Sequence, residues 1–376
     1  MKLRIKKDIL QEAINKVSKA ISTKNLIPVL AGIKFELKKN RLTLTASDND
    51  ITIQTTIEGA SEEDFLVEEE GNIIVQGKYI SDIVRKLPDK YINIEVIDEF
   101  KILIYTENSE FNLNGIDEKE YPTINLEESK KKIDINSSIF KDIVNQTAFA
   151  SSNEETKPVL TGINFNIAGN ILECNSTDSY RLARKIITLE KESEDIYNIV
   201  IPSHNIVEFI RIMDEDEAAI VELHIFNNKV LFKYKNILFQ SRLINGTYPN
   251  TANLMPEEAT LILTADLNTF YNVIDRASIL TSDKEKNIVT LETNDDTLIL
   301  KSSSIEIGRV EEKMKITKSS SEDIKISFSS RYMMEALKSF STDTIEIHYV
   351  GEIKPILLKS NEDTTLTQLV LPIRTY

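Results

Sequence analysis

The sequence predicts an α+β protein made of three tandem copies of one module, in which two helices lie on an antiparallel sheet. The first observation is an octapeptide: residues 28–35 (PVLAGIKF) return as residues 158–165 (PVLTGINF), 130 positions further along. The register holds without a gap on both sides, so that Ile5 corresponds to Ile135. A match of this length indicates a duplicated unit of domain size.

The second observation is a third, more diverged copy of the unit. Residues 263–270 resemble residues 135–140 in pattern, and residues 324–337 match the second half of the first two units. Division of the 376 residues by three gives about 125 residues for each unit, a common domain size. The predicted modules are residues 1–126, 127–252 and 253–376.

The third observation is that each unit carries two apolar stripes at helical spacing. In the first unit, Ile9, Leu10 and Ala13 begin one stripe, while Ile80 and Val84 belong to the other. These stripes and their counterparts predict six helices, over residues 6–20, 78–87, 137–150, 203–213, 265–278 and 329–340.

Segments with apolar residues at alternate positions lie between and after the helices, and this period of two predicts half-buried strands. The clearest segments are residues 42–45, 51–57, 92–96, 221–225 and 345–349. Residues 127–132 and 250–256 are predicted to be connectors between the units.

Composition places the chain among globular proteins of a reducing compartment. Its hydrophobic fraction of 41% and its charged fraction of 28% are ordinary for such a protein. Cys174 is the one cysteine, so an intrachain disulfide is impossible. The basic N-terminus is not followed by an apolar signal segment, and no apolar run is long enough to span a bilayer. We therefore expect a cytoplasmic protein with no membrane partner.

The charge of the chain is unevenly distributed. The net charge is −15, which by itself disfavours nucleic acid as a partner. The six predicted helices together carry +4, which leaves −19 on the strands and loops. If the helices share one face, that face is a weakly basic track suited to non-specific contact with phosphates. The alternative is that basic helices merely balance acidic loops.

Motifs that bind phosphate or metal are missing from the sequence. There is no Gly-rich phosphate loop, no HExxH pair and no CxxC pair. The three histidines, His204, His224 and His348, are scattered. His224 and His348 fall in predicted strands at positions expected to face solvent rather than a metal. We therefore expect neither a metal site nor a cofactor.

Candidate catalytic groups are few. Asp48 and Asp178 occupy corresponding places in two units, and each follows a hydroxyl residue, a pattern more typical of a turn than of acid–base catalysis. Cys174 lies in a strand-like run without a paired histidine nearby and is predicted to be a buried thiol. The sequence therefore predicts a protein that is not an enzyme.

Four strings of residues together resemble one family. They are the PVLxG octapeptides, residues 177–183 (TDSYRLA), Tyr248-Pro249 and residues 371–376 (LPIRTY). Combined with three tandem α+β modules, they are similar to the DNA polymerase III beta subunits, the bacterial DNA sliding clamps. The resemblance spans the whole chain, and its most specific parts are residues 177–183 and the terminal LPIR.

The resemblance implies a DNA clamp fold and a function without catalysis. Clamps of this family are head-to-tail homodimers whose six modules close a ring around duplex DNA, with the helices lining the hole. Because topological linkage replaces affinity, weak and non-specific phosphate contacts suffice. The resemblance also implies that the replicative DNA polymerase, the clamp loader and repair proteins compete for one groove through short hydrophobic peptides.

The resemblance places this peptide groove between modules two and three, as a mostly apolar cleft with polar rims. Two positions depart from the family pattern: Tyr180 stands where His is more common, and Asn253 where a basic residue is common. Both departures bear on peptide preference. By matching positions, the candidate residues are Leu160, Thr177, Ser179, Tyr180, Arg181, Leu182, Pro249, Asn253, Leu254, Leu369, Leu371, Pro372, Ile373 and Arg374.

Candidate DNA contacts follow in the same way. Matching positions on the inner rim are Lys24, Lys78 and Lys157, and the predicted helix faces add Arg85, Arg211, Arg276 and Lys338. Each of these residues is equally consistent with an ordinary solvated side chain.

Turn chemistry and core packing are the alternative explanation of the groove residues. The first unit serves as a control, since it keeps Asp48 within residues 47–50 (SDND) but lacks a counterpart of Arg181 and Leu182. Turn chemistry alone therefore does not require that pair, which favours a site specific to module two. Two other functions stay open: an acidic repeat scaffold that binds protein partners only, and a hydrolase that uses Asp48 and Asp178.

Overall fold

The computed structural model describes residues 1–22, 27–59, 61, 63–256, 258–282, 287–304 and 306–374. These residues form helices and antiparallel sheets, and the same order of elements recurs three times. The predicted α+β class with three tandem copies is therefore confirmed. By contacts, the chain divides into two compact units: Met1–Phe140 with Glu208–Leu243, and Lys141–Val207 with Ile244–Tyr376.

Within the described residues, six helices lie where the apolar stripes predict them. Each begins on the residue that directly follows a strand, so that the chain turns from sheet to helix without a loop. The last two begin with side-chain caps, since Asp266 accepts a hydrogen bond from the Thr269 backbone N–H at 2.7 Å and Ser329 does so from that of Tyr332 at 3.5 Å. The helices are α1 (Lys7–Val17), α2 (Gly77–Lys86), α3 (Ser137–Thr147), α4 (Ser203–Ile212), α5 (Leu267–Ser278) and α6 (Ser330–Leu337).

The strands follow a similar order in the three copies, although the second copy has eight strands and the other two have nine each among the described residues. The first copy has β1 (Lys2–Lys6), β2 (Gly32–Lys38), β3 (Arg41–Ser47), β4 (Ile51–Glu58), β5 (Phe65–Glu69), β6 (Gly71–Gln76), β7 (Tyr91–Asp98), β8 (Lys101–Tyr105) and β9 (Glu110–Asn114). The second has β10 (Ile133–Asn136), β11 (Gly162–Ala168), β12 (Ile171–Thr177), β13 (Arg181–Thr188), β14 (Tyr197–Pro202), β15 (Ile220–Ile225), β16 (Lys229–Tyr234) and β17 (Ile237–Arg242). The third has β18 (Leu261–Asp266), β19 (Ile288–Asn294), β20 (Thr297–Ser304), β21 (Gly308–Lys315), β22 (Thr317–Lys318), β23 (Lys325–Ser329), β24 (Thr344–Tyr349), β25 (Ile356–Lys359) and β26 (Leu366–Val370).

The first compact unit contains a sheet that joins two copies. Its strand order is β10-β15-β16-β17-β4-β3-β2-β6, so strands of the second copy continue directly into strands of the first. The joint is the antiparallel pair of β17 and β4, in which Ser241 lies opposite Ile51 and Ile237 opposite Thr55. The other sheet of this unit has the order β5-β1-β7-β8-β9, which leaves β9 at an edge.

The second compact unit repeats this joint between the second and third copies. Its larger sheet has the order β14-β11-β12-β13-β26-β25-β24-β18-β22. Here β13 pairs with β26, with Arg181 opposite Val370 and Lys185 opposite Leu366. The smaller sheet has the order β21-β20-β19-β23, which leaves β21 at an edge.

The cores lie where helices cover sheets. In the first compact unit, Phe209 packs on Phe140 and Phe232 with ring centroids 5.7 and 4.8 Å apart. In the second, Phe270 of α5 and Met333 of α6 are fully buried in one cluster with strand residues. The apolar stripes of the sequence thus become the faces that bury against the sheets.

The positions of the strand histidines differ from the prediction. His224 was expected to face solvent from β15, but its side chain is only 1% exposed. The cause is the connector before β10, whose Ser129 carbonyl oxygen lies 3.0 Å from His224 Nδ1 and covers that face of the strand. His348 is also mostly buried, beside Glu346 on β24. An alternating pattern predicts the face of a strand but not what a distant connector lays over it.

Other features agree with the sequence. The thiol of Cys174 is buried, as predicted. The connector at residues 127–132 has no helix or strand, and the one at residues 250–256 has only a 3₁₀ turn at Ala252–Leu254. In the described part of the chain, every helix is too short or too polar to cross a membrane.

Candidate functional site

The second copy makes a tight turn between β12 and β13 that sets up the candidate site. The Asp178 carboxylate accepts hydrogen bonds from the backbone N–H of Tyr180 and of Arg181, at 2.9 and 3.1 Å. Between them, Ser179 has a φ of 79°, in the left-handed region that non-glycine residues seldom adopt. The Thr177 N–H donates to the buried Tyr248 hydroxyl at 3.0 Å, which fixes the start of the turn. Turn chemistry therefore accounts for Asp178, as predicted.

The Arg181 side chain ties this turn to the third copy. Its Nε donates to Asp178 Oδ2 at 3.0 Å, its Nη1 donates to Glu335 on α6, and its Nη2 donates to the Phe149 carbonyl at 2.7 Å. The guanidinium also lies 4.7 Å from the centre of the Tyr332 ring. Arg181 is only 7% exposed. Because its charge and donors are already engaged, Arg181 positions the walls of the site.

Leu182 faces the opposite way from Arg181, into an apolar cluster. It is 1% exposed and packs with Leu357 and Leu369, and the half-buried Met255 and Leu371 cover them. Leu160 belongs to a separate cluster with Val200 and Tyr248. Of the predicted apolar groove residues, Leu160 therefore lies in one buried cluster, and Leu182 and Leu369 lie in another.

A cavity of about 250 Å³ opens beside the turn, and its lining is more polar than the predicted groove. Tyr180 is its most exposed aromatic wall, with 61% of the side chain accessible. The Tyr180 ring stacks on that of Tyr332, with centroids 6.2 Å apart and planes 19° apart. The lining residues are Ser151, Ser152, Asn153, Glu154, Lys157, Leu160, Asp178, Ser179, Tyr180, Arg181, Arg331 and Tyr332.

The C-terminal segment runs alongside this turn. After β26, the Leu371 N–H donates to the Tyr180 carbonyl at 2.9 Å, and the Ile373 N–H donates to the Ser327 carbonyl at 2.7 Å. Leu371, Pro372 and Ile373 are half-buried, and Arg374 is exposed. The structure thus brings Leu371 beside Tyr180 and Ile373 beside Ser327.

Three predicted residues lie on the connector between the second and third copies. Pro249, Asn253 and Leu254 are all exposed. None of them lines the cavity beside the turn. Met255, the residue after Leu254, provides the contact of this connector with the Leu182 cluster.

The candidate DNA-contacting residues separate into two groups. Lys78, at the start of α2, and Lys157 are exposed, and Lys157 also lines the cavity beside Tyr180. Lys338 extends over the Tyr271 ring, with Nζ 5.4 Å from its centre. Lys24 lies outside the described residues. The three arginines are paired with carboxylates, and the partners are Asp82 for Arg85, Glu208 for Arg211 and Glu312 for Arg276.

Three family models together match most of the chain. The N-terminal domain of the DNA polymerase III beta subunit matches residues 1–125, the central domain residues 134–250, and the C-terminal domain residues 252–374. The chain belongs to the DNA polymerase III beta subunit family. The family resemblance of the sequence is therefore confirmed.

Relatives of the chain agree with it in sequence and in fold. The beta sliding clamp of Staphylococcus aureus (strain Mu50 / ATCC 700699) is 40% identical over 378 residues, covering 100% of both chains. The crystal structure of the DNA polymerase sliding clamp from Bacillus subtilis matches with a TM-score of 0.95 at 37% identity, covering 100% of both chains. The beta subunit structure from Streptococcus pyogenes matches with a TM-score of 0.94 at 29% identity, again over 100% of both chains.

Several residues around the turn were not predicted from the sequence. Phe149, Tyr332 and Glu335 contact Arg181, yet they come from other elements. The one available signal was the i,i+4 pair of Arg331 and Glu335 on the predicted last helix, which are 3.3 Å apart. That spacing predicts that the two residues share one face of a helix, but it does not predict which other element packs against that face.

Proposed function

We propose that this DNA sliding clamp acts as a ring of two chains that encircles duplex DNA in the cytoplasm. The ring would consist of six modules, with residues 1–126, 127–252 and 253–376 contributed by each chain. It would hold DNA by topology rather than by sequence-specific contacts. The observation that carries the proposal is the repeated way in which the sheets join the copies.

Each joint within the chain uses equivalent strands. β4 of the first copy pairs with β17 of the second, and β13 of the second pairs with β26 of the third. In both joints, the strand that follows the Asp48 or Asp178 turn pairs with the last strand of the next copy. One such strand in the third copy, β21, and one last strand in the first copy, β9, are left at sheet edges.

Unpaired strand edges of this kind are ready to pair with another chain. We infer that β21 of one chain pairs with β9 of a second chain, and that the second chain returns the same contact. Such a head-to-tail interface closes a ring when the rotation between subunits closes. The exposed Phe111 on β9, with 38% of its side chain accessible, would lie at this interface.

Sedimentation equilibrium tests the dimer. The expected mass is twice the chain mass of 42.8 kDa. Phe111→Asp should weaken the dimer by placing a charge at the joint. Phe100→Asp is the matched control, because Phe100 is 41% exposed in the turn before β8 and lies on no strand edge. A dimer unchanged by Phe111→Asp would contradict this interface.

We also propose that the clamp has no chemistry of its own. Its candidate catalytic groups have other uses, which supports this view. Asp48, like Asp178, accepts hydrogen bonds from two backbone N–H groups of its own turn, both at 2.8 Å. Burial raises the pKa of the Cys174 thiol well above its ordinary value, which keeps the sulfur protonated and unreactive.

The peptide groove is the third part of the proposal. Partner proteins such as the replicative polymerase and the clamp loader would dock short apolar peptides between the Leu182 cluster and the cavity beside Tyr180. The stacked rings of Tyr180 and Tyr332 offer an exposed aromatic wall, and Leu371 offers a half-buried apolar edge. A peptide that displaces Leu371 or Met255 would reach Leu182.

Fluorescence anisotropy with a labelled C-terminal peptide of the replicative polymerase tests the groove. Leu182→Ala should abolish binding while leaving the dimer intact. Leu42→Ala in β3 is the control, because it removes an equally buried leucine from the first copy. Deletion of residues 371–376 should also abolish binding. Unchanged affinity in both groove variants would refute the assignment.

Topology distinguishes the clamp from an acidic scaffold that binds proteins only. Loaded by clamp loader and ATP, the protein should stay on nicked circular DNA and be lost when that DNA is linearised. Equal retention on both forms would contradict encirclement.

A further inference from the structure

Three potential metal ligands converge in the first compact unit. Glu222 and His224 are two positions apart on β15 and so share one face of the strand. Glu128 reaches them from the connector before β10. One ligand atom from each of the three side chains lies within 4.8 Å of the others.

The tautomer of His224 is set by its surroundings. Its Nδ1 lies 3.0 Å from the Ser129 carbonyl oxygen, which can only accept, so Nδ1 carries a proton and donates. In the neutral ring, Nε2 therefore carries the lone pair. Nε2 has no hydrogen-bond partner among the described residues, and the side chain is only 1% exposed.

The groups around that lone pair are hydrogen-bond acceptors, and a bound cation would stabilise them. Nε2 lies 3.5 Å from Glu222 Oε2, and Glu128 completes a set in which one ligand atom of each residue lies within 4.8 Å of the others. Ionised carboxylates only accept hydrogen bonds, so three acceptors face one another. An imidazole whose far N–H donates to a backbone carbonyl, leaving the other nitrogen free, is also the arrangement found around metal-bound histidines.

We propose that Glu128, Glu222 and His224 bind one divalent transition-metal ion, and that Zn²⁺ fits best. Imidazole nitrogen and carboxylate oxygen are both good zinc ligands, whereas Mg²⁺ and Ca²⁺ prefer oxygen alone. Three protein ligands leave the fourth tetrahedral position for water. Zinc–ligand bonds of about 2.1 Å require the ligand atoms to close to roughly 3.4 Å from one another. Glu128 can supply this movement, because it is exposed on a connector.

Two lysines compete with the ion for the same carboxylates. Lys233 Nζ lies 2.9 Å from Glu128, and Lys132 Nζ lies 2.9 Å from Glu222. Both lysines are about one-third exposed and can turn into solvent when an ion enters. Removing a lysine should therefore tighten metal binding.

The bound ion would fasten the connector to the sheet. In its absence, the connector is held to the strands by Lys233, by the His224 hydrogen bond and by Lys229, whose Nζ donates to the Asn125 carbonyl at 2.6 Å. An ion shared by Glu128 and β15 adds a link that binds only the folded chain. Zinc should therefore raise the Tm of the protein.

Isothermal titration of ZnCl₂ into the metal-stripped full-length dimer tests the proposal, with Co²⁺ absorption reporting ligand geometry. We expect one ion per chain, at least tenfold weaker binding in Glu128→Gln and in His224→Gln, and tighter binding in Lys132→Gln. His348→Gln is the matched control, because its Nε2 faces one carboxylate, that of Glu346 at 3.0 Å.

Glu128→Gln keeps the test decisive if His224→Gln does not fold, since Glu128 is exposed. Equal zinc binding by the wild type and Glu128→Gln would overturn the proposal. So would the absence of zinc binding in both the wild type and Lys132→Gln. Neither result affects the proposed clamp function.

Discussion

The guanidinium of Arg181 and the carboxylate of Glu335 form an ion pair across 154 positions of sequence. The pair holds the start of β13 against α6, and both elements belong to the second compact unit. It also closes one wall of the cavity beside Tyr180. Arg181 belongs to the most specific string of the family resemblance, and it stabilises the packing of the elements that form the site.

Arg181→Ala should destabilise the protein markedly, because it leaves Asp178 and Glu335 without their shared counter-charge. Breaking a buried ion pair costs about 3 kcal/mol. Urea unfolding should show this loss, together with weaker peptide binding. Arg331→Ala is the control: Arg331 also contacts Glu335, at 3.3 Å, but is 55% exposed, so its loss should cost well under about 1 kcal/mol. Equal losses in the two variants would contradict the supporting role.

Lys78→Ala should weaken DNA binding, and Arg276→Ala should not. Lys78 is exposed at the start of α2, whereas Arg276 is bound to Glu312 at 2.7 Å. A lysine that neutralises one phosphate contributes about one unit to the slope of log K against log salt. The affinity of the protein for linear duplex DNA, measured at several salt concentrations, gives that slope. A steeper or unchanged slope in Lys78→Ala would remove Lys78 from the DNA-contacting set.

Asp214→Asn should lower stability at pH 7, and this loss should shrink as the pH falls from about 4 through 2. Burial acts to raise the pKa of Asp214, but hydrogen bonds from Lys235 and Tyr234 outweigh it and hold the pKa at about 2, against an ordinary 3.8. Because the folded-state pKa is the lower one, ionised Asp214 stabilises the fold above about pH 4. That contribution is lost as the pH falls through 2.

The Asp214 effect should be below about 1 kcal/mol, because the carboxylate is 48% exposed and screened by solvent. Urea unfolding at pH 7, 4 and 2.5 measures it. The control is Asp98→Asn, which removes an exposed pair with Lys101 at 3.4 Å and should change little at any pH. A stability difference for Asp214→Asn that does not shrink with acid would contradict the assignment.

Cys174 should react with a thiol reagent only when the fold opens. Its side chain is fully buried, and burial raises its pKa. We expect labelling by DTNB to be slow in the native protein and immediate in urea. Tyr180→Cys places a second thiol at a 61% exposed position and should react at once. Fast labelling of native wild-type protein would show that β12 opens readily.

Local patterns predicted the elements of this fold well. Each of the six helices coincides with an apolar stripe, because the period of 3.6 residues is decided by near neighbours along the chain. The turn at Asp178 was predictable for the same reason, since its hydrogen bonds reach residues two and three positions away. Recurrence of the octapeptide revealed two copies, and the diverged pattern at residues 263–270 and 324–337 supplied the third.

Contacts between distant segments could not be predicted from these patterns. The burial of His224 depends on Ser129, 95 positions earlier, and the engagement of Arg181 depends on Phe149 and Glu335. The environments of His224 and Arg181 are therefore set by the packing of elements that are distant in sequence. The family resemblance placed Arg181 and Leu182 at one site, but their opposite orientations are visible only in the structure.

Joints made of paired strands have a consequence for the evolution of the sequence. The pairs β4–β17 and β13–β26 are held by main-chain groups, which are the same whatever the side chains. Substitutions can therefore accumulate at the joints while the ladder of bonds survives. The third copy can therefore pair its strands like the other two although its sequence has diverged from theirs. Homologues with diverged sequences can keep the same architecture for the same reason.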